Sequence, residues 1–101
     1  MSFIIVYITY KDLEEAEKVV KHLLEKKLIA CANIFPIKSF YLWKKEIKED
    51  NESVSIVKTK KENWEKLKKE VKKLHSYEVP CIMKIDVEAN EDFEEYINSE
   101  L

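Results

Sequence analysis

Between residues 75 and 81 the chain reads His75-Ser76-Tyr77-Glu78-Val79-Pro80-Cys81, placing an imidazole, a phenol, a carboxylate and a thiol side by side. Imidazole and thiolate ligands suit copper and zinc, so His75 and Glu78, joined by Cys31 or Cys81, form a candidate donor set with His75 as the metal ligand. The spacing matches neither a C-x-x-C pair nor an H-x-x-x-H pair, so the segment carries no metal signature of its own. A structural reading competes with the chemical one. A lone histidine at a helix end meets the negative end of the helix dipole and caps it, and Tyr77 and Glu78 then form a turn into Pro80, which holds Val79 extended. A third reading brings His75, Tyr77, Glu78, Lys58 and Trp43 together in a cleft between subunits, around a small anion or a metal complex, with Cys31 as a further candidate. Cysteine catalysis gains little support, because Cys31 and Cys81 both lie in apolar runs that disfavour the thiolate. No acid/base pair of carboxylates stands out, and Asp86 is the one acidic residue in apolar context.

The composition narrows what these residues can belong to. At 101 residues the chain has the usual size of one domain, here 1–101. Apolar residues at 46% and charged residues at 38% exclude both a disordered and a membrane-spanning composition. No stretch approaches the roughly 18 to 20 apolar residues of a membrane span, and the start Met1-Ser2-Phe3-Ile4-Ile5-Val6 carries no basic leader, so cytoplasmic residence is expected. In that compartment Cys31 and Cys81 should stay unpaired and buried. A net charge of −2, with every basic residue a lysine, argues against nucleic acid as the partner. The lysine-rich stretch from Lys58 to Lys73 reads instead as a solvated helix face, interrupted by Glu62, Glu65 and Glu70. His22, set among lysines, reads as a solvated surface group, and Trp64 as core.

Glycine is absent, which removes phosphate-cradling loops and dinucleotide fingerprints from consideration. It also leaves the positive φ angles of turns and helix ends to asparagine, at Asn33, Asn51, Asn90 or Asn98, or to a strained lysine.

Hydrophobic periodicity supplies the elements. Residues 3–10 are apolar on both alternating faces and read as a central strand. Asp12 and Glu15 form a capping box for an amphipathic helix over 13–26. An extended run from Leu28 to Trp43, with Pro36 marking an edge or a bulge, and a second from Glu46 to Thr59 make a long hairpin about Lys44-Lys45. Thr59 and Glu62 repeat the capping-box pattern before a second helix carrying Trp64, Leu67, Val71 and Leu74. Residues 79–87 alternate, with Val79, Cys81, Met83, Ile85 and Val87 on the apolar face, and a short helix over 92–99, capped by Asn90, ends the chain.

The order βαββαβ with right-handed crossovers gives an α+β, ferredoxin-like sandwich with an extended central hairpin. Tyr7, Phe35, Phe40, Tyr41, Leu42 and Trp43 make the helix-free side too apolar to stay wet, so copies of the chain should cover it. A hairpin longer than the domain needs can also reach a neighbour's sheet edge.

Four stretches in this order resemble the CutA divalent-cation tolerance family: Leu28-Ile29-Ala30-Cys31-Ala32-Asn33-Ile34, Ser39-Phe40-Tyr41-Leu42-Trp43, Glu52 with Lys58-Thr59, and His75 to Pro80. The resemblance implies a cytoplasmic, non-enzymatic homotrimer, similar in outline to PII signalling proteins, that serves tolerance of copper and other divalent metals. A PII-like module sensing a small anion through Lys58 and Tyr77 is the alternative it leaves open. Two positions depart from the family pattern: Lys45 stands where glycine is usual and Ser76 where proline is. Members described as binding copper use a cysteine on the first strand and two consecutive histidines, and those positions here hold Ile8, Leu74 and His75.

Overall fold

The computed structural model describes residues 3–101, so Met1 and Ser2, on which part of the leader reading rests, lie outside it. Four strands and three helices follow in the order β1 (Phe3–Tyr10), α1 (Leu13–Glu25), β2 (Cys31–Trp43), β3 (Glu46–Thr59), α2 (Trp64–Leu74), β4 (Ile82–Val87) and α3 (Glu91–Ser99). The strands form one antiparallel sheet in the order β2-β3-β1-β4, the α+β ferredoxin-like arrangement. Side chains alternate across it, which assigns each residue to a face. Ile4, Val6, Ile8 and Tyr10 of β1, with Val57 of β3, meet Ala16, Val19, Val20 and Leu23 of α1 and Leu67 and Val71 of α2 in one buried core. The Tyr10 hydroxyl is satisfied there by Ser55 Oγ at 2.8 Å, and burial pushes its pKa up to about 12.

The opposite face carries Phe3, Ile5, Tyr7 and Thr9 of β1, the even-numbered residues of β3 and the odd-numbered residues of β2 and β4. α3 lies on this side rather than with the other two helices: Phe93 meets Phe3 edge-on at 5.9 Å, and Ile97 and Val54 are fully buried outside the main core. One short helix covers only part of the face. Met83 and Ile85 remain 49% and 50% exposed, so the apolar face expected of β4 points away from the helix-side core.

Several sequence expectations need correction. β4 begins at Ile82, not Val79, and β2 begins at Cys31, not Leu28. Leu28 and Ile29 are instead buried in the core by a sharp reversal after α1. Lys27 N–H donates to the Leu24 carbonyl and Leu28 N–H to the Leu23 carbonyl, with Lys27 at φ 57. This is a Schellman cap with lysine in the position glycine usually takes. The Asp12 cap is present, Glu15 N–H donating to Asp12 Oδ1 at 2.8 Å. Thr59 caps nothing: its hydroxyl donates to the Leu28 carbonyl at 2.7 Å, and α2 starts later, after a turn of 3₁₀-helix over Lys61–Asn63. Asn90 likewise makes no side-chain cap bond. His22 is half-buried between α1 and α2, 3.4 Å from Glu70 Oε2, rather than solvated. Phe40 and Leu42 fall on the helix side of the hairpin, because a continuous apolar run places alternate residues on opposite faces.

β3 pairs with β1 only as far as Ser53↔Tyr10, so the hairpin beyond that register overhangs the body and the molecule measures 45 × 24 × 21 Å. Pro36 sits on β2, an edge strand, where the missing N–H breaks no ladder. The Lys44-Lys45 turn takes positive φ at both residues, 51° and 70°, as a two-residue type I′ loop requires. Left-handed backbone costs a non-glycine residue about 1–2 kcal/mol, and glycine's freedom when unfolded offsets about half of that. Lys45→Gly should therefore raise stability by about 0.5–1 kcal/mol, read as a higher denaturation midpoint at fixed protein concentration; an unchanged or lower midpoint would show that the turn carries no strain.

Candidate functional site

Where the hairpin leaves the body, the segment linking α2 to β4 folds against it. Pro80 donates no hydrogen bond, and residues 75–81 therefore run as a loop across the end of β1. Glu15 fixes the start of that loop. Its Oε2 accepts the Ser76 N–H at 3.0 Å and its Oε1 the Lys11 N–H at 3.3 Å, tying the β1–α1 turn to the loop. A proline at position 76 could not donate the first of these bonds.

His75 is built into the same anchor. Its Nε2 donates to the Thr9 carbonyl at 2.7 Å, while Nδ1 accepts the Tyr77 N–H at 3.1 Å, which fixes the neutral Nε2–H tautomer. The ring stacks on Tyr10 at 5.4 Å and 14° and meets Tyr77 at 4.9 Å. Its backbone N–H closes α2 onto the Val71 carbonyl, so it is the helix's terminal residue, but its ring reaches across to β1 instead of the helix carbonyls. With both ring nitrogens engaged inside the chain, neither is left for a metal in this conformation.

Between the hairpin and the loop lies a cleft of about 570 Å³. Ser39, Tyr41 and Trp43 of β2, Lys48 and Glu52 of β3, Thr9 of β1, and Ser76, Tyr77, Glu78, Val79 and Cys81 of the loop line it, with Phe40 at its rim. Two phenols donate to carboxylates, Tyr77 to Glu52 and Tyr41 to Asp50. These bonds and the surrounding charge set the electrostatics. Burial first, and then Glu52 as hydrogen-bond partner and charge, push the Tyr77 pKa well up. Burial followed by the Glu52 charge raises Cys81, and the Asp50 bond is the main cause for Tyr41. Glu52 thus adds to the effect of burial at Tyr77 and Cys81, and Asp50 acts mainly through its bond to Tyr41.

Of the residues proposed from sequence, the fold brings Trp43, Tyr77, Glu78 and Cys81 into this cleft and sets His75 behind its wall. Lys58 and Cys31 are not part of it. They face each other in register at the far end of β3, about 20 Å from Glu52 at the rise of a strand, and Lys58 Nζ donates to Asn33 Oδ1. Cys31 lies half-buried on the α3 side of the sheet, not in the helix-side core, and burial raises its thiol pKa more than Lys58 lowers it. Ile8, Leu74 and His75 also fail to converge as ligands, since Ile8 is fully buried and Leu74 packs on the same core. Sequence reasoning gave no weight to Ser39, Tyr41, Lys48 and Glu52 as site residues. Their signal was parity: 39, 41 and 43 share a face of β2, and 48 and 52 share the same face of β3.

Comparison with known proteins places this geometry in a family context. Residues 4–100 match the family model described as CutA1 divalent ion tolerance protein. The divalent-cation tolerance protein CutA of Pyrococcus horikoshii is 50% identical over 98 residues, covering 96% of each chain. Among solved structures, the periplasmic divalent cation tolerance protein CutA from Archaeoglobus fulgidus superposes with a TM-score of 0.93 at 46% identity, over 99% of this chain and 98% of that one. A PII-like protein CutA from Nostoc, in apo form, has a TM-score of 0.89 at 27% identity over 99% and 96% of the two chains.

The anchoring role of His75 is testable by its removal. His75→Ala deletes two hydrogen bonds and two ring contacts, and should lower stability by about 2–3 kcal/mol in denaturant unfolding. Unchanged stability would refute the anchor.

Proposed function

Because this chain belongs to the CutA1 divalent ion tolerance protein family, we propose that it is a non-enzymatic homotrimer, one unit over residues 1–101, that binds divalent cations such as copper at the carboxylates of the hairpin cleft. The match over nearly the whole chain carries this reading, and the two carboxylates in the cleft lining, Glu52 and Glu78, support it. Glu52 and Glu78 supply oxygen ligands, with the Ser39, Ser76 and Thr9 hydroxyls close by. Among the described residues no group of three or more His, Cys, Asp and Glu side chains is gathered, so a bound cation keeps much of its water and exchanges readily. The trimer covers the apolar strip that α3 leaves bare, and brings the cleft to the boundary between copies. The unpaired thiols of Cys31 and Cys81 favour the cytoplasm, and among the described residues no helix is long and apolar enough to cross a membrane.

A second reading, a PII-like sensor of a small anion, draws on the likeness to the Nostoc protein. Its expected cation, Lys58, is engaged elsewhere, and Lys48 is the lysine that lines the cleft. That charge balance favours the metal reading. Copper titrated calorimetrically into the assembled protein should give saturable binding that Glu52→Gln weakens about tenfold and that His75→Ala, where it folds, leaves in place. Copper binding abolished by His75→Ala but untouched by Glu52→Gln would move the ligand to the imidazole and overturn the assignment.

A further inference from the structure

We propose that the hairpin cleft is a receptor for a small organic cation, of the quaternary-ammonium or aliphatic-amine class, held against the rings of Tyr41, Trp43 and Tyr77 with Glu52 and Glu78 as counter-charges. The proposal rests on the cleft being the functional site, and not on its binding a metal.

Size and wall chemistry make the first argument. A cavity of about 570 Å³ falls in the range of small-molecule sites and far exceeds what one ion fills. A bare divalent ion wants several oxygen ligands converging within about 2–2.6 Å, and among the described residues no group of three or more His, Cys, Asp and Glu side chains is gathered. Aromatic faces are what the cleft offers instead. Ring faces attract cations, tryptophan most strongly, and quaternary ammonium ligands are recognised by cages of such rings. Trp43 already draws one cation, its neighbour Lys44, whose Nζ sits 5.9 Å from the ring centroid. In the single chain Trp43 and Tyr41 are 37% and 40% exposed, at the boundary where copies of the chain would meet.

Charge makes the second argument. The cleft is lined by two carboxylates, Glu52 and Glu78, against one ammonium, Lys48. Both phenols point their protons at carboxylates, Tyr41 at Asp50 and Tyr77 at Glu52, so neither hydroxyl is left to greet an anion. The raised pKa values of Tyr77 and Cys81 carry a contribution from the same Glu52 charge. The chain also lacks arginine, the side chain best shaped to clamp a carboxylate or phosphate. A ligand with a positive head and an apolar shell satisfies rings and carboxylates together, as an anion does not.

Choline, its uncharged isostere with carbon in place of nitrogen, and acetate are the probes, titrated into the assembled protein by calorimetry. Choline should bind saturably at about millimolar concentration or below, with the isostere about tenfold weaker and acetate silent. Trp43→Leu and Glu52→Gln should each weaken choline by about tenfold at unchanged oligomeric state. Copper in parallel separates this inference from the metal reading, because Trp43→Leu should leave copper binding intact. Choline binding without copper binding would sink the metal reading alone. Equal binding of the isostere would reveal a merely apolar slot. Absence of choline binding while copper still depends on Glu52, as when a neighbouring copy fills the cleft, would overturn the organic-cation proposal and spare the other.

Discussion

Two amphipathic helices packed on the same side can shield one face of a four-stranded sheet and no more. α1 and α2 use that capacity fully, burying the even-numbered residues of β1 and the odd-numbered ones of the paired part of β3. α3 is too short to do the same on the other side. What it leaves includes Phe35, Met83 and Ile85, and on its other face the overhanging hairpin exposes Leu42 and Ile47, at 74% and 79%. Apolar surface of this extent on a highly charged chain needs a cover. Copies of the same chain are the simplest one, and a symmetric assembly closes without leaving an unpaired patch.

The cleft follows from the same geometry. A hairpin no longer than the sheet would end at Ser53 and leave nothing for the 75–81 loop to face. Its extra length carries Tyr41, Trp43, Lys48 and Glu52 past the body, and the loop, pinned by Glu15 and His75, closes the other wall. His75 thus contributes by holding Tyr77 at the angle from which its hydroxyl reaches Glu52. Glu52 and Glu78 line the cleft with Lys48, while Lys58 lies at the other end of β3, bonded to Asn33 of β2.

Element order and topology were legible because the periods change cleanly, from two in FIIVYITY to helical spacing in Leu13, Ala16, Val20 and Leu23. The boundaries that failed did so where a local bond overrode a pattern. Leu28 looked like strand, but the lysine-capped reversal at Lys27 turned it into core. Thr59 looked like a cap, but its hydroxyl was taken by the Leu28 carbonyl across the fold. The site was half legible. Of the residues singled out by chemistry, Trp43, Tyr77, Glu78 and Cys81 line the cleft of the single chain, whereas Lys58 stands at the other end of β3, because residue type says nothing about distance along a strand. Glu52 needed the register of β3 against β2 to be recognised as the partner of Tyr77. The role of His75 hinged on which carbonyl its ring would meet, and that is fixed by the end of β1, 66 residues away in sequence.

Light scattering of dilute protein tests the central claim most directly, since everything about the cleft's surroundings depends on how the bare side of the sheet is covered. The account predicts a particle of three chains that survives dilution to micromolar concentration. A stable, monodisperse single chain under the same conditions would contradict it.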